Sequence, residues 1–220
     1  MSFSIKRVSQ KLSYFIKSKK VWVLPKKNDV LIYDFAGSNI ISFYINSLTC
    51  EILHTRNESI NLPILIRSFF RRGEWVKEYV YCYIEYVNPK IILTHIDNNR
   101  NFYLISSRYN NIKTIFLQNG LRAFYLDIFE ILEIEKNKNL NYEVDCMFTF
   151  GNIISLEYKK FISGEFFSIG SVKNNYVKKS LFEKKRGRLL FISQYRDDKN
   201  LLINGAVFLH MIKTHLSFQF

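Results

Sequence analysis

Between Val30 and Ile192 the chain passes through seven short, mainly apolar stretches, each bounded by polar residues or glycine and followed by enough sequence for a helix. They are Val30 to Tyr33, Ile52 to Thr55, Ile91 to Thr94, Thr114 to Leu117, Met147 to Phe150, Phe166 to Ile169 and Leu189 to Ile192. Several are continuous runs of Ile, Leu, Val and Phe, not alternations of apolar and polar. A strand of that kind needs cover on both faces, which a parallel sheet between helical layers supplies. The rhythm therefore restricts the chain to an α/β fold: a mostly parallel sheet with helices on both faces.

The intervening segments carry the helix signals. Candidates are Asn39 to Leu48, Pro63 to Arg71, Glu74 to Val87, Arg100 to Tyr109, Leu121 to Leu132 and Ile154 to Ile162, with a later one at Leu201 to Leu216. Pro63 suits a first helical turn, where a missing N–H costs nothing. Trp75, Val76, Tyr79, Val80, Tyr83 and Tyr86 form a broad aromatic stripe at helical spacing, which reads as core packing and not as a ligand surface. Glu133 to Asn141 is polar and suits an exposed loop.

The formal net charge of +13 raises the question of nucleic acid, and its distribution answers it. Eight basic residues and no acidic one fall between Met1 and Lys27, while the remainder is only mildly basic and its aromatics sit at core spacings. No nucleic-acid partner is expected from that pattern. Ile5, Val8, Leu12, Phe15 and Ile16 recur at helical spacing, predicting a basic amphipathic helix that ends before Pro25. It would lie on an anionic membrane surface or dock its apolar stripe on the body of the protein. The expected organisation is this segment over 1–27, the α/β lobe over 28–197, and the start of a second lobe over 198–220. Cys50, Cys82 and Cys146 are far apart and form no Cys-x-x-Cys pair, so neither a zinc knuckle nor a disulfide framework is expected. With no secretory signal and no apolar run of about 18 residues, the expected location is cytoplasmic, peripheral to the inner membrane if the basic helix binds lipid.

Open parallel sheets bind ligands beyond the carboxyl ends of their strands. Reading those positions gives Asp34, Gly37 and Ser38; His54, Arg56 and Glu58; His95, Asp97, Asn98 and Asn99; Gln118, Asn119, Gly120 and Arg122; Gly151 and Asn152; Gly170, Ser171 and Lys173; and Ser193, Gln194, Arg196 and Asp197. The same residue types also cap helices and make turns, so each has a purely structural reading as well. His95 and Asp97, two apart at one strand end, could join Asp34 and His54 as the ligands of a metal-dependent phosphoesterase, but no second His and Asp cluster supports them and no metal is expected. Gly-x-Gly-x-x-Gly, Walker and nucleophile-elbow motifs are missing, which excludes the standard dehydrogenase, P-loop and α/β-hydrolase readings and leaves no cofactor implied.

Seven of these stretches, taken in order, resemble the bacterial surface carbohydrate biosynthesis proteins: Asp29 to Ser38, Leu53 to Glu58, Asn88 to Asn98, Phe116 to Gly120, Phe148 to Gly151, Ile169 to Ser171 and Ile192 to Arg196. The family is similar to GT-B enzymes, which place two Rossmann-like lobes around a cleft. The resemblance implies the N-terminal, acceptor-binding lobe of a glycosyl or polyol-phosphate transferase. Its partners would be a glycan or lipid-linked acceptor and, where a second lobe or subunit is supplied, a nucleotide-activated donor. A second lobe would need more chain than follows Arg196, so an incomplete enzyme is expected; a non-catalytic binding or assembly module of the same pathway is the other reading. From rim position, His95 or Asp97 would be the catalytic base, Arg56 and Arg122 would hold acceptor phosphate, and Gln118 and Asn119 would meet sugar hydroxyls. Asp34, Gly37, Ser38, Glu58, Gly170 and Ser171 would complete the substrate-binding rim.

Overall fold

The computed structural model describes residues 15–45, 50–56, 58–122, 127–136 and 140–176. The chain divides into two compact units, 1–178 and 179–220. The second unit lies outside the described residues, together with the expected strand at Leu189 to Ile192, the rim residues Ser193 to Asp197 and the helix at Leu201 to Leu216.

The first unit is built on six strands: β2 (Val30–Tyr33), β3 (Cys50–Leu53), β5 (Ile91–Thr94), β6 (Lys113–Leu117), β7 (Glu143–Thr149) and β8 (Ser163–Ser168). They lie in the order β3-β2-β5-β6-β7-β8, and every neighbouring pair is parallel. Helices α1 (Ser38–Ile45), α2 (Leu62–Phe69), α3 (Trp75–Val87), α4 (Ile128–Glu135), α5 (Asn152–Lys159) and α6 (Val172–Tyr176) occupy the connections. The sheet is Rossmann-like, as expected. From β2 the chain steps outward to β3, then returns past β2 to β5 and continues the other way. That reversal makes the carboxyl ends of β2 and β5 the topological switch point, the place where such sheets bind ligands in a crevice.

Strand residues divide by parity between two cores. Leu31, Tyr33, Ile92, Phe116 and Met147 belong to one large cluster with Tyr79, Ile84 and Val87 of α3, Tyr103 and Tyr158. Ile32 and Leu93 face the other way and meet Ile41 of α1. This two-sided burial explains why the runs are apolar at consecutive positions, and each fully buried large side chain contributes roughly 1.5–3 kcal/mol. The aromatic stripe of α3 is core, as its spacing suggested. Its end is set by Asn88, which adopts a left-handed cap at φ 55° and donates its N–H to Ile84 O. Asn61 caps α2 by accepting from Ile64 N, with Pro63 in the first turn.

Three expectations are corrected. The N-terminal segment is not helix alone: residues 15–17 are helical, ending before Pro25, but β1 (Lys19–Val21) then pairs in parallel with β4 (Ser59–Asn61), two strands not anticipated. Lys20 folds back on the helix end, donating to Ile16 O at 2.8 Å, to Ser18 O at 2.7 Å and to Phe15 O. This lysine is a C-terminal cap and not part of a solvated face. Between Arg100 and Tyr109 only a 3₁₀ turn forms, at Phe102–Leu104. Asn99 Oδ1 accepts the Asn101 N–H, the local competition by which asparagine displaces a helix start. The helix expected from Leu121 begins instead at Ile128, where Asp127 Oδ1 accepts the Ile128 N–H at 2.8 Å. Among the described residues no helix is long and apolar enough to cross a membrane.

Candidate functional site

Asp34 ends β2 with φ 87°, a left-handed conformation that a non-glycine residue adopts only when held there. Its carboxylate does the holding. Oδ1 accepts Ala36 N at 3.0 Å, and Oδ2 accepts Thr55 Oγ1 and Arg56 Nε, each at 2.8 Å. Asp34 is thereby the buried hub that joins the loop after β2 to the loop after β3. The turn it sets runs through Gly37 at φ 79° and into α1 at Ser38, which is buried. A Cβ on Gly37 would stand 3.2 Å from His95 Nδ1, so the glycine lets the backbone close on that ring.

His95 follows β5 on the far side of the crevice and is 1% exposed. Neither ring nitrogen has a hydrogen-bond partner among the described residues. Burial pushes the imidazole down to about 4, and the Lys173 ammonium adds to the effect. The ring is therefore neutral at pH 7, with one nitrogen able to accept a hydrogen bond and the other to donate one. A buried polar ring left unpaired is costly, which makes it the feature of this rim that most needs an external partner. Lys173 approaches from α6 and donates to Asn119 Oδ1 after β6. Gly170, at φ 80°, makes the turn that brings α6 there, and Ser171 O accepts Asn174 N at 3.1 Å. The crevice thus brings Gly37, Ser38, His95 and Asn119 to one rim, with Lys173 added.

Other rim residues are engaged by the fold to different degrees, and of these His54 Nδ1 also lacks a hydrogen-bond partner among the described residues. Asp97 is 0% exposed and forms a two-pronged ion pair with Arg122, whose Nη1 also reaches Asp127 Oδ1 at 3.3 Å. Gln118 bridges two loops, donating from Nε2 to Gly120 O at 2.8 Å and accepting Phe150 N at 2.7 Å. Glu58 Oε2 accepts the Arg56 backbone N–H at 3.2 Å and lies 3.9 Å from His54 Nδ1. His54 itself stacks on Phe35 with ring centroids 4.8 Å apart, and burial lowers its pKa. Among the described residues no three His, Cys, Asp or Glu side chains converge in a way that could hold a metal ion.

Two contributors were not chosen from the sequence. Lys173 was visible as a rim residue, yet nothing in its spacing tied it to His95. Arg100 was assigned to a helix, whereas it opens onto a cavity with Arg56, Asn98, Asn99 and Asn101.

Searches of curated proteins and of solved structures found no match. Residues 115–212 match the model of a family described as "putative O-antigen biosynthesis protein". The matched stretch begins in β6 and carries Gln118, Asn119, Arg122, Gly170, Ser171 and Lys173, so this half of the rim is similar to proteins of surface carbohydrate biosynthesis.

Proposed function

We propose that this chain is the acceptor-binding lobe of a GT-B-like transferase in surface polysaccharide biosynthesis, acting at the membrane face where lipid-linked acceptors are presented. The group transferred is a glycosyl or polyol-phosphate unit from a nucleotide-activated donor. The observation that carries the reading is His95, buried at the topological switch point with no hydrogen-bond partner on either ring nitrogen. The O-antigen family match over residues 115–212 supports the pathway, and the parallel sheet supports the lobe.

In this mechanism an acceptor hydroxyl enters the crevice and donates its hydrogen bond to His95. As the hydroxyl oxygen attacks the anomeric carbon or the phosphorus, the imidazole takes the proton and the bond to the departing nucleotide breaks. Imidazolium formation in a buried site needs a compensating negative charge, and the departing phosphate brings one. Lys173 meets the same phosphate, and Asn119 fixes the lysine in place. Asp97 is less suited to be the base because the Arg122 guanidinium already occupies its carboxylate.

The test is thermal unfolding of the purified chain with lipid-phosphate glycan acceptors, nucleotide sugars and CDP-polyols, on wild type and His95→Gln. A ligand at about 100 times its Kd adds about 2.7 kcal/mol of stability. Stabilisation of wild type by an acceptor, lost in His95→Gln, supports the reading. Stabilisation by nucleotide donors alone refutes the acceptor role, and equal acceptor binding by His95→Gln removes His95 from the site.

A further inference from the structure

Beyond the loops after β3 and β5 lies an open cavity of about 290 Å³, lined by Arg56, Asn98, Asn99, Arg100 and Asn101. None of these residues is acidic and none is apolar. Arg56 uses Nε on Asp34, and no partner on the described residues takes its two Nη groups. Arg100 uses Nη1 on Glu135. Each guanidinium is therefore fixed from behind by a carboxylate that is itself buried, Asp34 at 1% and Glu135 at 8% exposure, with further N–H groups turned outward. Asn98 is exposed, and neither its amide nor that of Asn101 has a hydrogen-bond partner among the described residues. Guanidinium forks immobilised in this way match the geometry of phosphate oxygens, and the buried carboxylates spare the ligand the entropy of ordering them.

We propose that this cavity binds a diphosphate group. Its volume is near the lower end for small-ligand pockets, roughly 300 Å³. The position suits the proposed acceptor role: the Asp34 carboxylate orients Arg56, while the turn that starts at Asp34 leads to Gly37 against His95. A diphosphate seated here would lie on the same rim as the reacting hydroxyl. The inference rests on that reading only for what carries the diphosphate, a lipid-linked acceptor or a nucleotide donor.

The experiment is calorimetric titration of the purified chain with inorganic pyrophosphate, comparing wild type with Asn98→Asp, Arg100→Gln and His95→Gln. Asn98→Asp adds a negative charge at an exposed position without removing a packing contact, and should weaken pyrophosphate binding about tenfold or more. Arg100→Gln should weaken it comparably, while His95→Gln should leave it unchanged. Competition by an alkyl diphosphate but not by a nucleoside diphosphate would assign the cavity to the acceptor, and the converse would assign it to the donor. The proposal is overturned if pyrophosphate does not bind wild type, or if Asn98→Asp and Arg100→Gln bind it as wild type does. Either of those results would leave the His95 test above standing.

Discussion

The pairing of Asp97 with Arg122 decides which of two neighbouring residues is free to do chemistry, and it can be tested through stability. Asp97 has a side-chain exposure of 0% and Arg122 of 15%, and both carboxylate oxygens are engaged by the guanidinium. Arg122→Gln would leave a fully buried carboxylate without its counter-charge, at a cost of about 3–5 kcal/mol. For a chain of this size that is a fall in Tm of roughly 6–20 °C. Asp97→Asn should cost less, about 1–3 kcal/mol, because the partly exposed guanidinium keeps Asp127 at 3.3 Å. The double variant should be more stable than the sum of the singles predicts, with a coupling of about 2 kcal/mol. Urea unfolding of the four proteins followed by circular dichroism measures all three quantities. If Arg122→Gln unfolds within about 1 kcal/mol of wild type, the pair is not holding this rim together and Asp97 returns as a candidate base.

The remaining predictions concern His95 and the turn that covers it. With a folded pKa of about 4 against an ordinary 6.5, His95 makes no pH-dependent contribution while both states are neutral; below about 6.5 the unfolded chain takes up a proton that the folded chain refuses. Stability should therefore fall as pH drops from about 6.5 to 4, by up to about 3 kcal/mol, with His54 adding in the same direction, and His95→Gln should flatten most of that slope in urea midpoints; parallel curves for the two proteins would refute it. Lys173→Met should move the His95 titration upward, read from imidazole NMR shifts, because the lysine charge opposes protonation. Gly37→Ala should cost about 1–2 kcal/mol for its left-handed backbone and also perturb the His95 ring signals, since the new methyl meets Nδ1; an unperturbed ring would show that the two loops are not in contact.

Much of the fold was legible because two-sided burial writes itself into consecutive apolar residues. Val30–Tyr33 and Ile91–Thr94 were bounded correctly for that reason, because a polar residue stands at each end: Asp29 and Asp34 around the first, Lys90 and His95 around the second. The elements that escaped lack such a signature. Lys19–Val21 is a three-residue strand whose lysines fit a helical stripe equally well, and only its parallel pairing with Ser59–Asn61 makes it a strand. Phe102, Tyr103 and Ile105 are all 0% exposed, so the segment from Arg100 to Tyr109 has the apolar content of a helix. What breaks it is asparagine side-chain chemistry, which outcompetes the helix locally at Asn99.

The rim was harder to read than the sheet because a polar residue after a strand can serve the fold or a ligand, and sequence position is the same in both cases. Asp34, Gln118 and Asp97 were all chosen as candidates on position, and all three are committed internally: to a strained turn, to a bridge between loops, and to an ion pair. What separates His95 from them is the absence of a hydrogen-bond partner for a ring already removed from water. Arg56 falls between, with one edge of its guanidinium spent on Asp34 and the other turned outward. Satisfaction of hydrogen bonds is a three-dimensional property, decided by which loops meet across the β2–β5 crevice. The committed residues are nonetheless part of how the open ones work. Without Asp34 the turn that brings Gly37 onto His95 would lose its anchor, and Arg56 would lose the contact that aims it. A variant at Asp34 should therefore disturb His95 and the arginine cavity together, whereas Asn98→Asp should disturb the cavity alone. That difference in reach is how a residue that positions the site can be told from one that touches the ligand.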